Sequence, residues 1–382
     1  MGFMASIPIA GVVWQHLHYI VGLLRLGHEV WYVEDSERLP YDPVAGTVSN
    51  DYDYALTSLA RLAAEYGFAD RWAFCAGYLP DQPCHGLTRE KLRELYRTAD
   101  AILNICGSQE LTDDVRQCQR ILYIESDPGV EQIRVDKGDP LPLGYLPQHH
   151  ALFTFGENIG TPACPLPTHQ FHWLPTRQPV VTDFWKTTAP PPVGAVFTSV
   201  ANWNTGDVKD IAWRGDKYLW SKSREFLKFI EAPARSGEPF ELATHLTDPA
   251  TRDCFLRQGW RFTDPDQMSI HPDLYRRYLQ DSKGEFTVAK DQYVRLRTGW
   301  FSDRTACYLA AGRPVITQET GFTRLYGGNR GLFAFRTLDE IPEAVREINA
   351  DYAAHSRAAA AIAAEHFEAA TVLAALLDRA GV

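Results

Sequence analysis

Gly299-Trp-Phe-Ser-Asp-Arg-Thr-Ala-Cys-Tyr-Leu-Ala-Ala-Gly-Arg-Pro-Val-Ile-Thr-Gln-Glu-Thr-Gly321 reads as a loop, a short helix, a glycine stop and a buried strand. Ser302 or Asp303 is placed to cap the helix, Gly312 to end it, and Pro314 to open the apolar run Val315-Ile316. Such a unit leaves backbone N–H groups free at the helix start, where an anionic ligand is favoured. A second unit stands near the other end of the chain. Gly11 is followed by Leu17, Ile20, Val21, Leu23 and Leu24 at helical spacing, then by Gly27-His28-Glu29-Val30, which gives loop, helix, turn and strand.

The same alternation runs through the chain between them. Strands are predicted over 30–33, 101–105 and 121–124, and helices over 54–66 and 87–97, a pattern that implies a parallel, doubly wound sheet. The turn-rich loops at 104–108, 125–129 and 155–160 fall at strand C-termini, where open α/β sheets bind ligands. From 174 to 194 the chain is proline-rich and weakly periodic, as an interdomain connection is. A boundary near 185 divides it into domains 1–185 and 186–382. The rhythm then restarts, with strands predicted over 195–200 and 240–246 and helices over 218–230 and 272–280. Alanine-rich helices over 339–349 and 358–377 close the chain, and the last is expected to pack back on the first domain.

A chain of 382 residues exceeds what one core fills, so two α/β domains with a cleft between them are expected. A hydrophobic content of 45% argues against extended disorder. The formal charge of −10 gives no broad basic surface, which weighs against general affinity for nucleic acid or anionic lipid. Seven cysteines, an odd number without CxxC spacing, fit a reduced cytoplasmic protein better than a disulfide scaffold or a zinc site. No run approaches the length of a membrane span, and the opening Met-Gly-Phe-Met-Ala-Ser lacks the basic start of a signal peptide. A soluble, cytoplasmic protein without a transmembrane segment is the expectation.

Taken together, Gly11 with Gly27-His28-Glu29-Val30, and Ala310-Ala-Gly-Arg-Pro-Val-Ile316 with Thr320-Gly321 and Gly331-Leu-Phe333, resemble the glycosyltransferases of the GT-B superfamily. The resemblance is nearest to the family 1/4-like, spore-maturation-type branch. It implies an α/β fold of two Rossmann-like domains facing across a cleft. The C-terminal domain is then expected to hold a nucleoside diphosphate sugar, a hexosyl donor, and the N-terminal domain to admit an acceptor. No metal and no further cofactor are implied. One departure stands out: the branch carries two glutamates eight residues apart before its Gly-x-Pro, and this chain has Gly299 and Cys307 in those places.

Transfer of a sugar builds negative charge on the departing diphosphate, which cations and helix N-termini neutralise. Lys290 and Arg304 are the cations placed for it, with the Ser302-Asp303 helix start beside them. Gly11 lets backbone approach a ligand closely. Asn202 follows the first strand of the second domain, and Thr320 with the Gly321 amide follows the Pro-Val-Ile strand; all three are donor contacts on this reading. His16, His18 and Asp127 are the candidate catalytic groups for an acceptor hydroxyl. Two other functions share the architecture: a nucleotide-sugar 2-epimerase, and a non-catalytic protein that binds nucleotide or glycan. No G-x-G-x-x-G follows the first strand and no P-loop or G-x-S-x-G occurs, which disfavours oxidoreductase, P-loop and serine-hydrolase readings.

Overall fold

A computed structural model describes residues 1–382 apart from Asp207 and Val208. The second domain is the more regular. The six strands of its main sheet are β8 (Phe197–Val200), β9 (Phe240–Ala243), β10 (Trp260–Thr263), β11 (Gly284–Thr287), β12 (Val315–Gln318) and β13 (Leu332–Phe335). They lie in the order β10-β9-β8-β11-β12-β13, every pair parallel, which is the doubly wound arrangement with the first strand in the middle. All four residues of β12 are buried, as expected of a strand covered on both faces.

The first domain supplies β1 (Tyr32–Ser36), β2 (Trp72–Ala76), β3 (Cys84–His85), β4 (Ile102–Ile105), β5 (Ile121–Glu125), β6 (Ala151–Thr154) and β7 (Trp173–Pro175). They form two sheets, β1-β2-β3 and β4-β5-β6-β7. Between β1 and β4 the chain start makes the connection. The Met1 amine donates to the Leu103 carbonyl at 2.6 Å, and the Ile105 N–H to the Met1 carbonyl at 3.1 Å. On the other side the Gly2 N–H donates to Val33 O at 3.3 Å.

Helix α1 (Ala10–Arg25) lies over this seam, and its apolar face meets the last helix, α5 (Ala369–Ala380), which returns from the second domain. Tyr19 and Val21 pack there with Leu373, Leu376 and Leu377 against Ile105, Leu122 and Phe153. The C-terminal helical stretch breaks where Phe367 stacks on Phe301 and its carbonyl accepts the Val180 N–H, so that Tyr352–His366 and α5 are separate helices.

The one helix expected over 358–377 is thus two, and two further expectations need correction. The stretch 218–230 is not one helix: Asp216–Tyr218 pairs antiparallel with Ile211–Trp213, and only α3 (Ser223–Lys228) is helical. The cysteines are not all free, because β2 and β3 form a hairpin in which Cys75 and Cys84 lie opposite each other and are joined in a disulfide. Nine residues of separation gave no CxxC signal; the pairing is made by strand register. No helix among the described residues is long and apolar enough to cross a membrane.

The two domains also touch through a polar contact. The Asn158 side chain donates to Arg297 O at 3.1 Å and Gly321 O at 3.2 Å, and its backbone N–H donates to Thr298 O. Gly321 has φ +98°, and a Cβ there would lie 2.4 Å from Asn158 Nδ2. Only glycine satisfies both demands.

Candidate functional site

Between the domains lies a cleft of about 800 Å³. Helix α4 (Asp303–Ala310) points its N-terminus at it from the second domain, and α1 does so from the first. Neither helix start is closed by a side chain. Ile9 has no side-chain acceptor to offer, and Ser302 adopts an extended backbone without a capping bond from its hydroxyl. Their first-turn N–H groups give two positive ends at one cavity. Gly11 stands in the first turn of α1, and a Cβ there would find nothing nearer than Tyr275 Oη at 3.9 Å. Backbone and fold leave that space open on the cleft side.

Cations gather at the same place. Lys290 reaches 2.8 Å from Asp127 Oδ1 and 3.2 Å from Tyr293 Oη, and sits 3.3 Å above the Trp220 ring, which Lys209 also faces at 4.4 Å. Tyr293 also donates to Asp127, and Trp300 stacks on Tyr293 at 4.4 Å while donating to Ser126 O. Burial of the Asp127 carboxyl is outweighed by Lys290 and Lys209, which pull it down to about 2. It is therefore a fixed anion, already held by Lys290 and Tyr293.

Lys222, directly before α3, is only 9% exposed. No hydrogen bond or ion pair to its ammonium occurs among the described residues. Burial, with Arg304 and Lys290 nearby, depresses its pKa well below the usual lysine range. Arg304 is differently placed. Its Nε donates to Glu285 at 2.6 Å, and its two other nitrogens donate to Val200 O and Thr287 Oγ1. It lines the cleft but is anchored to β8 and β11. Asp303 also lines the cleft; burial first, and the Asp127 charge second, push its carboxyl up to about 7.

Of the residues singled out by sequence, Gly11, His18, Asp127, Asn202, Lys290, Ser302, Asp303 and Arg304 all line this one cleft. His18 has both ring nitrogens facing N–H groups, from Val181 at 3.0 Å and the Trp185 indole at 3.1 Å, and burial drives it down to about 3. No ring nitrogen is left for a substrate proton.

His16 is turned away. Its Nε2 accepts the Phe3 N–H and its Nδ1 bonds the Val12 carbonyl at 2.8 Å, inside the first domain. Thr320 and Gly321 lie outside the cleft lining, where Thr320 Oγ1 donates to Trp300 O at 2.5 Å and the Gly321 N–H to Glu319 Oε1 at 2.5 Å. They shape the loop that Asn158 grips.

The sequence reading passed over Lys222, Lys209, Trp220 and Tyr293. Only the run Trp220-Ser-Lys222 hinted at them, and a hairpin and a short helix were hidden there. At the cleft rim, His245, Asp264 and Asp266 bring three possible ligand atoms within 4.8 Å of one another, all on exposed residues.

Two facing doubly wound domains, a closing helix that returns to the first, and helix starts aimed into the gap define the architecture. The fold is GT-B. Among solved structures, AviGT4, a glycosyltransferase involved in avilamycin A biosynthesis, aligns with a TM-score of 0.50 at 12% identity, covering 97% of this chain and 89% of that one. A glycosyltransferase from Rickettsia africae aligns with a TM-score of 0.50 at 9% identity, over 97% of this chain and 94% of that one. By sequence, no family model and no curated protein matches the chain.

Proposed function

We propose that the cleft binds a nucleoside diphosphate sugar and transfers its sugar to an acceptor hydroxyl. The observation that carries this is Lys222, a buried lysine with no hydrogen bond or ion pair among the described residues, set with Lys290 and Arg304 at a gap faced by two open helix starts. A diphosphate supplies the charge that this cluster lacks. The GT-B fold and the glycosyltransferases that share it support the same reading.

In the transfer, the bond from the anomeric carbon to the diphosphate oxygen breaks as the bond to the acceptor oxygen forms. Lys222, Lys290 and the α4 N-terminus take up the charge on the leaving diphosphate, where a metal is not required. The acceptor proton passes to the Asp303 carboxylate, whose pKa near neutrality suits a general base. Asp127 holds Lys290 in place and keeps Asp303 protonatable. Arg304 orients α4 through Glu285. Release of nucleoside diphosphate from a panel of sugar donors, measured with and without alcohol acceptors, tests the reading; consumption of no donor under any acceptor overturns it.

A further inference from the structure

The cleft has two unlike ends. At one, Lys209 and Lys290 meet over Trp220 with Lys222 close by. At the other the lining is Phe3, Ile9, Val12, Tyr41 and Pro43 of the first domain with Ile270 of the second. The Tyr41 N–H donates to Ser6 O at 2.8 Å, which ties Tyr41 to the loop that carries Phe3 and Ile9, and the short helix Asp266–Ser269 before Ile270 packs on α1. The polar residues of this mouth answer one another or an aromatic ring. His245 bonds Asp266 at 3.1 Å, and the Arg38 guanidinium lies 5.4 Å from the Phe3 ring.

The apolar wall continues outward. Tyr41–Asp42 and Thr47–Val48 pair antiparallel with Tyr41 opposite Val48, so both side chains leave the same face of the hairpin. Tyr41 lines the cleft, and Val48, which is 58% exposed, extends the wall beyond it. Ile9, Leu39 and Val44 are exposed in the same neighbourhood. A single exposed valine is ordinary on any surface, whereas a set of apolar side chains gathered at the mouth of a cleft marks a binding surface.

Deeper in, the lining turns polar and buried. Cys106 Sγ lies 2.9 Å from Ser126 Oγ, next to Asp127 in the chain, and the buried Ser108 hydroxyl has no hydrogen-bond partner among the described residues. All four residues line the cleft with Asp303.

We propose that this half of the cleft holds the acceptor, and that the acceptor is an amphiphilic alcohol. Its hydroxyl lies at the polar floor by Ser108 and Asp303, and its apolar body runs out along Val12, Ile9, Tyr41 and Val48. The proposal rests on the transfer reading given above. A polyhydroxylated acceptor would set its hydroxyls against aliphatic side chains that cannot pair them, while an alkyl or ring body is buried there at a gain.

The test follows donor breakdown with primary alcohols from ethanol to octan-1-ol, and with glycerol and glucose as polar acceptors. Along the series kcat/KM is expected to rise about threefold for each added methylene, and both polar acceptors to fall at least about tenfold below hexan-1-ol. Methyl NMR of Ile9, Val12 and Val48 reads binding without any donor; these methyls are expected to shift with octan-1-ol and not with glucose. Val48→Asp and Ile9→Ala are expected to flatten the series. A flat series in the wild type, use of glucose equal to that of hexan-1-ol, or a slope kept in both variants overturns the proposal. Methyl shifts with octan-1-ol while no donor is consumed would overturn the transfer reading and support the apolar site. Transfer to glucose alone would do the reverse.

Discussion

The ammonium of Lys290 lies 2.8 Å from the Asp127 carboxylate, and the two belong to different domains on opposite walls of the cleft. The pair joins the domains at the point where the proposed diphosphate sits, and its acid also sets the charge felt by Asp303. Replacing Asp127 by Asn removes that negative charge. The Asp303 carboxyl then ionises at lower pH, and the acidic limb of kcat moves down by about one unit. A pH–rate profile of Asp127→Asn with an unshifted limb would show that Asp303 does not control it.

Asp303 gives a stability prediction of definite sign. Its carboxyl is raised to about 7 in the native protein, chiefly by burial, against about 4 in an unfolded chain. Between those values the native state holds a proton that the unfolded state has lost, so stability falls as pH rises through the window. Asp303→Asn is therefore expected to be more stable than the wild type at pH 8, by about 4 kcal/mol, and equal to it below about pH 4. Urea unfolding at both pH values measures this. The same variant should lose at least about a hundredfold in kcat while its nucleotide affinity changes little.

Lys222 is depressed when the cleft is empty, mainly by burial and then by Arg304. A bound diphosphate favours the ammonium, so nucleotide binding at pH 8 should take up a proton. Calorimetry in buffers of different ionisation enthalpy reads that uptake directly. Lys222→Met should abolish it, and proton release in the wild type would contradict the assignment.

Gly321 has φ +98° and no room for a Cβ beside Asn158. Gly321→Ala is expected to cost about 2–3 kcal/mol in thermal or chemical unfolding. Gly11→Ala should instead gain about 0.5 kcal/mol, because its Cβ meets open space in a helix, yet lower turnover by narrowing the cleft. A Gly11→Ala variant of full activity would remove that residue from the ligand path.

The doubly wound fold was legible wherever local signals agreed. Ser302, Gly312 and Pro314 bracket α4 and β12 in the sequence as they do in the structure. It was illegible where a distant partner decided the outcome. Asp216–Tyr218 becomes a strand only by pairing with Ile211–Trp213, and Cys75 meets Cys84 only through a hairpin. The site divides in the same way. Residues on loops at strand ends and helix starts were found by position, and Lys290 and Asp303 are examples. Lys222 was missed because its importance lies in burial without a hydrogen bond or ion pair among the described residues, which no linear pattern records. His16 and His18 were read as alternatives on one helix, and packing buries both: His16 against Phe3 and His18 against Trp185.

The proposed donor chemistry needs no metal, and His245, Asp264 and Asp266, which converge at the rim, take no part in it. Turnover in excess EDTA should equal turnover without it. Loss of activity that Mg²⁺ or Mn²⁺ restores, and that His245→Ala abolishes, would move the diphosphate from the lysines to that rim.

Calorimetric titration of UDP, GDP and the matching free nucleosides into the wild type and Lys222→Met tests the central claim most directly. One nucleoside diphosphate is predicted to bind at a single site, at least tenfold more tightly than its nucleoside, with that advantage lost in the variant. Diphosphates that bind no better than nucleosides, or a variant that keeps the full advantage, would contradict it.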